Sequence, residues 1–164
     1  MRNGSSMRTA ITRVLLVFVM AVAGIVIGSQ GAAQAACSGA GCAGLDPQAQ
    51  GCSSSATDLA ATKYVSTGAV RFTAHVRSSS ACNARWTRVV MEANACCTTQ
   101  EFAVQSQRLL NSNWIEADFR TVTIPSNSVG TFWTNMVNNR SDDRVRVCTR
   151  FVPDGNWSCK GWEA

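Results

Sequence analysis

Residues 70–77 read Val-Arg-Phe-Thr-Ala-His-Val-Arg. Val70, Phe72, Ala74 and Val76 fall on one face of an extended chain, and Arg71, Thr73, His75 and Arg77 on the other. This period of two is the signature of a half-buried strand, and the run Ser78-Ser79-Ser80-Ala81 breaks it. Outward from it, residues 86–92, 102–110, 114–124, 132–137 and 144–152 are rich in β-branched and aromatic side chains, each bounded by Asn, Ser, Gly, Pro or Asp clusters. Ile115, Ala117 and Phe119 alternate with Glu116, Asp118 and Arg120, and Val145, Val147 and Phe151 with Arg144, Arg146 and Arg150. Antiparallel sheets with one wet face produce such alternation, whereas βαβ units do not. The expected fold is therefore all-β: a small antiparallel sandwich or distorted barrel of six to seven strands. Two stretches fall outside the pattern. Residues 56–65, with Leu59, Lys63 and Tyr64 unevenly spaced, are expected to form one short helix. Residues 36–55 are Gly, Ala, Ser and Cys with almost no large apolar side chain, so they are expected to be an irregular loop held by cysteines.

The first 35 residues have a different character. Three arginines, Arg2, Arg8 and Arg13, precede an uncharged apolar run at 14–27, and small and polar residues then lead to Ala33-Gln34-Ala35. This order is that of a secretory signal with an A-x-A cleavage site, and fourteen apolar residues fall short of the roughly twenty that span a bilayer. Gln34, where a lipoprotein signal carries an aliphatic residue, argues against lipidation of Cys37. The expected organisation is a signal peptide at 1–35, a single disulfide-rich domain at 36–164, and secretion, with no membrane attachment after cleavage.

Charge excludes one class of partner. The chain carries 15 Lys and Arg against 10 Asp and Glu, formally +5. Without the leader's three arginines, twelve basic residues face ten acidic ones, which offers little to a phosphate backbone, so no nucleic-acid partner is expected.

All eight cysteines, Cys37, Cys42, Cys52, Cys82, Cys96, Cys97, Cys148 and Cys159, lie beyond residue 35. An even set in an exported chain reads as a disulfide framework. Zinc is not expected, because the spacings contain no C-x2-C knuckle and there is one His. The absence of C-x-x-C also argues against a redox enzyme. Cys96 and Cys97 are adjacent; on an extended segment their side chains point apart, so they are expected to bond to two different cysteines. Pro153-Asp154-Gly155 marks a turn before Trp157. It suggests a terminal hairpin that brings Cys148 and Cys159 onto facing strands, slightly out of register, as one plausible bridge among several.

The stretch C-S-G-A-G-C-A-G-L-D-P-Q-A-Q-G-C (residues 37–52), the run V-R-S-S-S-A-C-N-A-R-W-T-R-V (76–89), Trp133-Thr134-Asn135-Met136-Val137, Cys148 and Cys159-Lys160-Gly161-Trp162 together resemble a family of secreted bacterial proteins, domain of unknown function 2690, similar to the YjfA protein of bacilli. The resemblance runs over nearly the whole of residues 36–164. It implies export and a shared fold, and no activity. The chain departs from the family pattern at Ser55, Asp58, His75 and Ser78.

Candidate chemistry is sparse. His75 with Ser78, Ser79 or Ser80 and a remote Asp is the one conceivable hydrolase triad. There is no G-x-S-x-G elbow, however, and His75 is expected to be solvated on the polar face of its strand. Asp142-Asp143 reads as a turn with surface ion pairs to Arg140 and Arg144, and Glu116 with Asp118 as two acids on one strand face rather than a glycosidase pair. Asp46-Pro47 reads as a capped turn that organises its loop. No catalytic residue, metal or cofactor is therefore assigned. Trp86 and Trp133 are expected in the core. Arg144, Arg146 and Arg150, with Trp157 and Trp162 exposed beside them, are the candidate binding surface. The expected role is an extracellular binding or interaction module for a cell-wall or other acidic glycan, or for a secreted protein; the competing classes are an extracellular hydrolase and a disulfide-rich inhibitor of one.

Overall fold

The computed structural model describes residues 35–67, 71–92, 98–153 and 155–164. Residues 1–34 of the leader, Val70, Cys96, Cys97 and Asp154 lie outside the described residues. Among the described residues ten strands build two antiparallel sheets that do not close into a barrel. In the first sheet β1 (Ala56–Asp58) and β2 (Tyr64–Thr67) share one edge of β3 (Arg71–Ser79). Its other edge pairs with β4 (Ala84–Met91), which in turn pairs with β7 (Gly130–Trp133) and β8 (Val137–Asn138). The second sheet runs in the order β10 (Ser158–Cys159), β9 (Asp143–Phe151), β5 (Gln100–Leu110), β6 (Asn113–Ile124). The three alternating runs singled out in the sequence thus lie in β3 of the first sheet and in β6 and β9 of the second. The strand total exceeds six or seven because residues 132–137 break into β7 and β8 and because residues 56–65 are not a helix. They form β1, a single 3-10 turn at Ala60–Thr62, and β2.

The core lies between the sheets. Phe72, Ala74, Val76, Val89, Met91 and Val137 from one meet Phe102, Val104, Ile124, Val145 and Val147 from the other, with the Phe72 and Phe102 rings edge to face at 4.8 Å. Thr87 Oγ1 donates across the gap to the Ala103 carbonyl at 3.0 Å. At one end Asp143 is buried, its carboxylate 3.0 Å from Arg108 Nε and its carbonyl 3.4 Å from the buried Arg85. Of the acidic pair only Asp142 makes the expected surface contact, with Arg140 at 3.0 Å. Burial, partly offset by Asp143 and then Glu163, pulls the Arg85 guanidinium below its ordinary value.

The cysteine-rich segment is more than a stapled loop. It roofs the outer face of the first sheet and closes a second apolar cluster of Cys42, Cys52, Cys82, Ala84, Trp86 and Met136, with Trp133 packed against it. Asp46 Oδ1 accepts the Gln48 and Ala49 amides at 2.7 and 2.9 Å, and Oδ2 accepts Trp133 Nε1 at 2.9 Å, so the turn acid also anchors the roof. Gly44, at φ +81°, aims its amide at the Met136 carbonyl 2.8 Å away, a backbone conformation that glycine adopts without penalty.

Three bridges fall in the described residues: Cys37–Cys42, Cys52–Cys82 and Cys148–Cys159. Cys148 and Cys159 sit directly opposite each other rather than out of register. The expectation that Cys96 and Cys97 bond to two different cysteines falls on residues outside those described. No helix among the described residues is long and apolar enough to cross a membrane.

Candidate functional site

On the outer face of the second sheet, β9 presents Arg144, Arg146, Cys148 and Arg150 opposite Gln107, Gln105, Ala103 and Glu101 of β5. Two irregularities aim aromatic rings at this row. On β6, Ala117 is an extra residue between the pairs Ser106↔Asp118 and Gln107↔Glu116. The bulge turns Glu116 onto the same face as Phe119 and Trp114 and away from Asp118, so the expectation that Glu116 and Asp118 share a face is overturned. After β10, three residues separate Cys159 from Glu163 where two separate Cys148 from Val145 on the partner. That one-residue slip sends Trp162 to the same face as Trp157.

The result is a stacked row. The Arg144 guanidinium lies between the Trp114 and Trp162 rings, 4.1 and 4.5 Å from their centroids; Arg146 lies 4.2 Å from Trp162 and Arg150 4.8 Å from Trp157. Phe119 meets Trp157 edge to face at 5.2 Å. Arg144 donates to Gln107 Oε1 at 2.7 Å and Arg146 to Gln105 Oε1 at 2.7 Å, while Arg150 pairs with Glu101 at 2.6 Å. Gln105 in turn donates to Glu116 at 2.7 Å. Burial, followed by the like charge of Arg144, lowers the Arg146 value, and Glu116 opposes the shift. A cavity of about 330 Å³ opens between Arg146, Glu116, Gln105, Phe119 and Trp157, with the Cys148–Cys159 bridge as its floor.

The structure therefore brings all five residues of the candidate surface onto one face. Trp157 and Trp162 are half-buried there rather than freely exposed, because their faces lie against arginines. Trp86, expected in the core, is 1 % exposed in the second apolar cluster beneath the roof, and Trp133 is partly buried against it. Trp114, 39 % exposed, is the member of the row that sequence reasoning missed. It stands at the tip of the β5–β6 hairpin, where Asn111 and Ser112 both take positive φ, the two-residue turn suited to twisted strands.

His75 is a correction. It is 6 % exposed rather than solvated, because β1, the 3-10 turn and β2 run along the edge of β3 and carry Asp58 over it. His75 Nε2 lies 2.9 Å and Arg77 Nε 3.2 Å from Asp58 Oδ1, neither aligned for a hydrogen bond, and Arg88 lies 3.3 Å from Oδ2. Asp58 and His75, two positions where the chain departs from the pattern it resembles, thus face each other. Desolvation holds the His75 value below the ordinary one; Asp58 opposes this, and Arg88 and Arg77 reinforce it. Of the three serines considered for a triad, Ser79 bonds Ser55 Oγ at 2.7 Å and the Cys82 amide at 3.2 Å.

Comparison of the chain with protein-family models, with characterised proteins and with solved structures yields no match.

Proposed function

We propose that the chain is exported and, freed of residues 1–35, acts as an extracellular binding module. Its contact face is the outer surface of the second sheet, and its partner is an acidic, ring-bearing polymer such as an anionic cell-wall glycan. The observation that carries this reading is the row of Arg144, Arg146 and Arg150 interleaved with Trp114, Trp162 and Trp157 beside an open cavity. Fixed guanidinium groups offer charge and directed N–H donors to carboxylate or phosphate, and indole edges and faces offer flat apolar area to sugar rings. The stacks hold the arginines in place before binding, which lowers the ordering cost of recognition. Three disulfides among the described residues are consistent with an oxidising compartment, and the resemblance of the cysteine motifs to the secreted family of domain 2690 points to the same destination.

The test is retention of the folded, secreted protein on purified cell envelope. The expected result is binding that weakens as salt rises through physiological strength, where screening acts within about 8 Å. No retention at low salt, or capture only of a secreted enzyme from culture medium, would refute the glycan reading.

A further inference from the structure

The outer face of the first sheet carries a second cavity, of about 470 Å³, bounded by Asp58, Leu59, Lys63, Thr73, His75 and Arg88. Its charges do not balance. Asp58 is the one acid lining it, and that carboxylate is already flanked by His75, Arg77 and Arg88. Lys63, exposed at the rim, has no ion pair among the described residues. With His75 neutral, Lys63 and Arg88 outweigh Asp58 by one charge in the lining, and Arg77 adds a further cation behind Asp58. A donor is also in surplus, since Arg88 Nε is buried without an aligned acceptor. Buried donors without acceptors are costly, and a doubly charged oxyanion would satisfy both surpluses at once.

We propose that this cavity binds one tetrahedral oxyanion, sulfate or phosphate, free or as an ester on a glycan chain. Arg88 and Lys63 supply charge and donors, Thr73 a hydroxyl, and His75 a further donor once protonated. The site lies on the opposite side of the sandwich from the Trp and Arg row and stands whether or not that row binds. The groups facing His75 are Asp58 from β1, Arg88 from β4, Arg77 from its own strand and Lys63 from the turn before β2. In the empty cavity, burial and the two arginines disfavour its charged form against the pull of Asp58. An anion seated beside it adds negative charge and reverses that balance, so binding and protonation favour each other reciprocally.

Sulfate is the probe of choice, since its charge does not change across the titration of His75. His75 is the chain's one histidine, so its ring resonance reports the site without ambiguity. Sulfate should raise the His75 titration midpoint in the full-length mature protein, and each unit of rise corresponds to about tenfold tighter binding at acid than at alkaline pH. Lys63→Gln, at an exposed position, and Arg88→Gln should each weaken sulfate binding by roughly tenfold. A sulfated oligosaccharide run in parallel separates the sources: tighter binding than free sulfate identifies an ester on a chain, and equal or weaker binding identifies the ion. A His75 midpoint unmoved by either probe, or both variants binding sulfate as the parent does, would overturn the proposal.

Discussion

Each arginine of the contact face is held from two directions at once. Arg144 is gripped by two indole faces and by Gln107, and Arg146 by Trp162 and Gln105, so Trp162 is the ring on which two guanidinium groups depend. Trp162→Ala should therefore lower stability by about 1 to 2 kcal/mol, read from urea unfolding, since each partly exposed cation–π contact contributes about 0.5 to 1 kcal/mol. Replacing Arg144, Arg146 and Arg150 by Gln should reduce envelope retention and flatten its salt dependence, whereas Trp157→Ala should reduce retention and leave the salt response intact. His75 supplies a different residue-level test. Its folded value is depressed, so near the ordinary value of about 6.5 the unfolded chain binds more protons than the folded one. Stability then rises with pH through that window and falls on acidification. Unfolding at pH 8 and pH 5 should show a loss that His75→Gln diminishes; an unchanged pH dependence in the variant would contradict the assignment. The alternation of residues 70–77 placed His75 on the correct face of its strand. What alternation does not encode is that residues 56–63 cover that face, because their uneven apolar spacing reads as a short helix rather than as an edge strand.

The strands themselves were legible wherever one side faces the core and the other water, as in β3 and β9. The irregularities that build the site were not. Ala117 is an ordinary small residue inside a strand-like run, and nothing in its identity announces that it is the extra one. Its bulge becomes visible only once the register to β5 is known, and a one-residue slip exchanges the faces of everything beyond it. The roof over the first sheet was hidden for a related reason. Residues 36–55 have too few apolar side chains to form a core of their own, yet their cysteines and backbone suffice to cover Trp86. The bridges differ accordingly. Cys52–Cys82 closes a separation of 30 residues and Cys148–Cys159 one of 11, for which chain entropy predicts about 3.5 and about 2.8 kcal/mol. Removing Cys52 and Cys82 together by alanine should cost more stability than removing Cys148 and Cys159 together, and should expose Trp86, seen as a red-shifted and more quenchable emission. The reverse order would show that the roof contributes little to the fold.

At the scale of the molecule, two antiparallel sheets enclose one core, and each turns a differently furnished face outward. The first is roofed by the stapled segment and bears the His75 cavity; the second bears the stacked arginines. The sandwich was legible because six strand-like runs, three of them alternating, leave few other ways to bury their apolar sides. The composite face was legible in its residue list but not in its construction, which depends on two slips of register and on Trp114. If the leader has the assigned role, intact-mass analysis of secreted protein should place the N-terminus at Ala36; a lipid on Cys37 or a retained leader would contradict release. The account's central claim is that the second sheet's outer face is the contact surface, and amide and indole chemical-shift mapping tests it most directly. On titration of the labelled mature protein with a soluble anionic wall glycan, shifts should cluster at 101–107, 114–119, 144–150 and 157–162, with the Trp114, Trp157 and Trp162 indoles among the largest. Shifts confined to the first sheet, or none at saturating glycan, would contradict it.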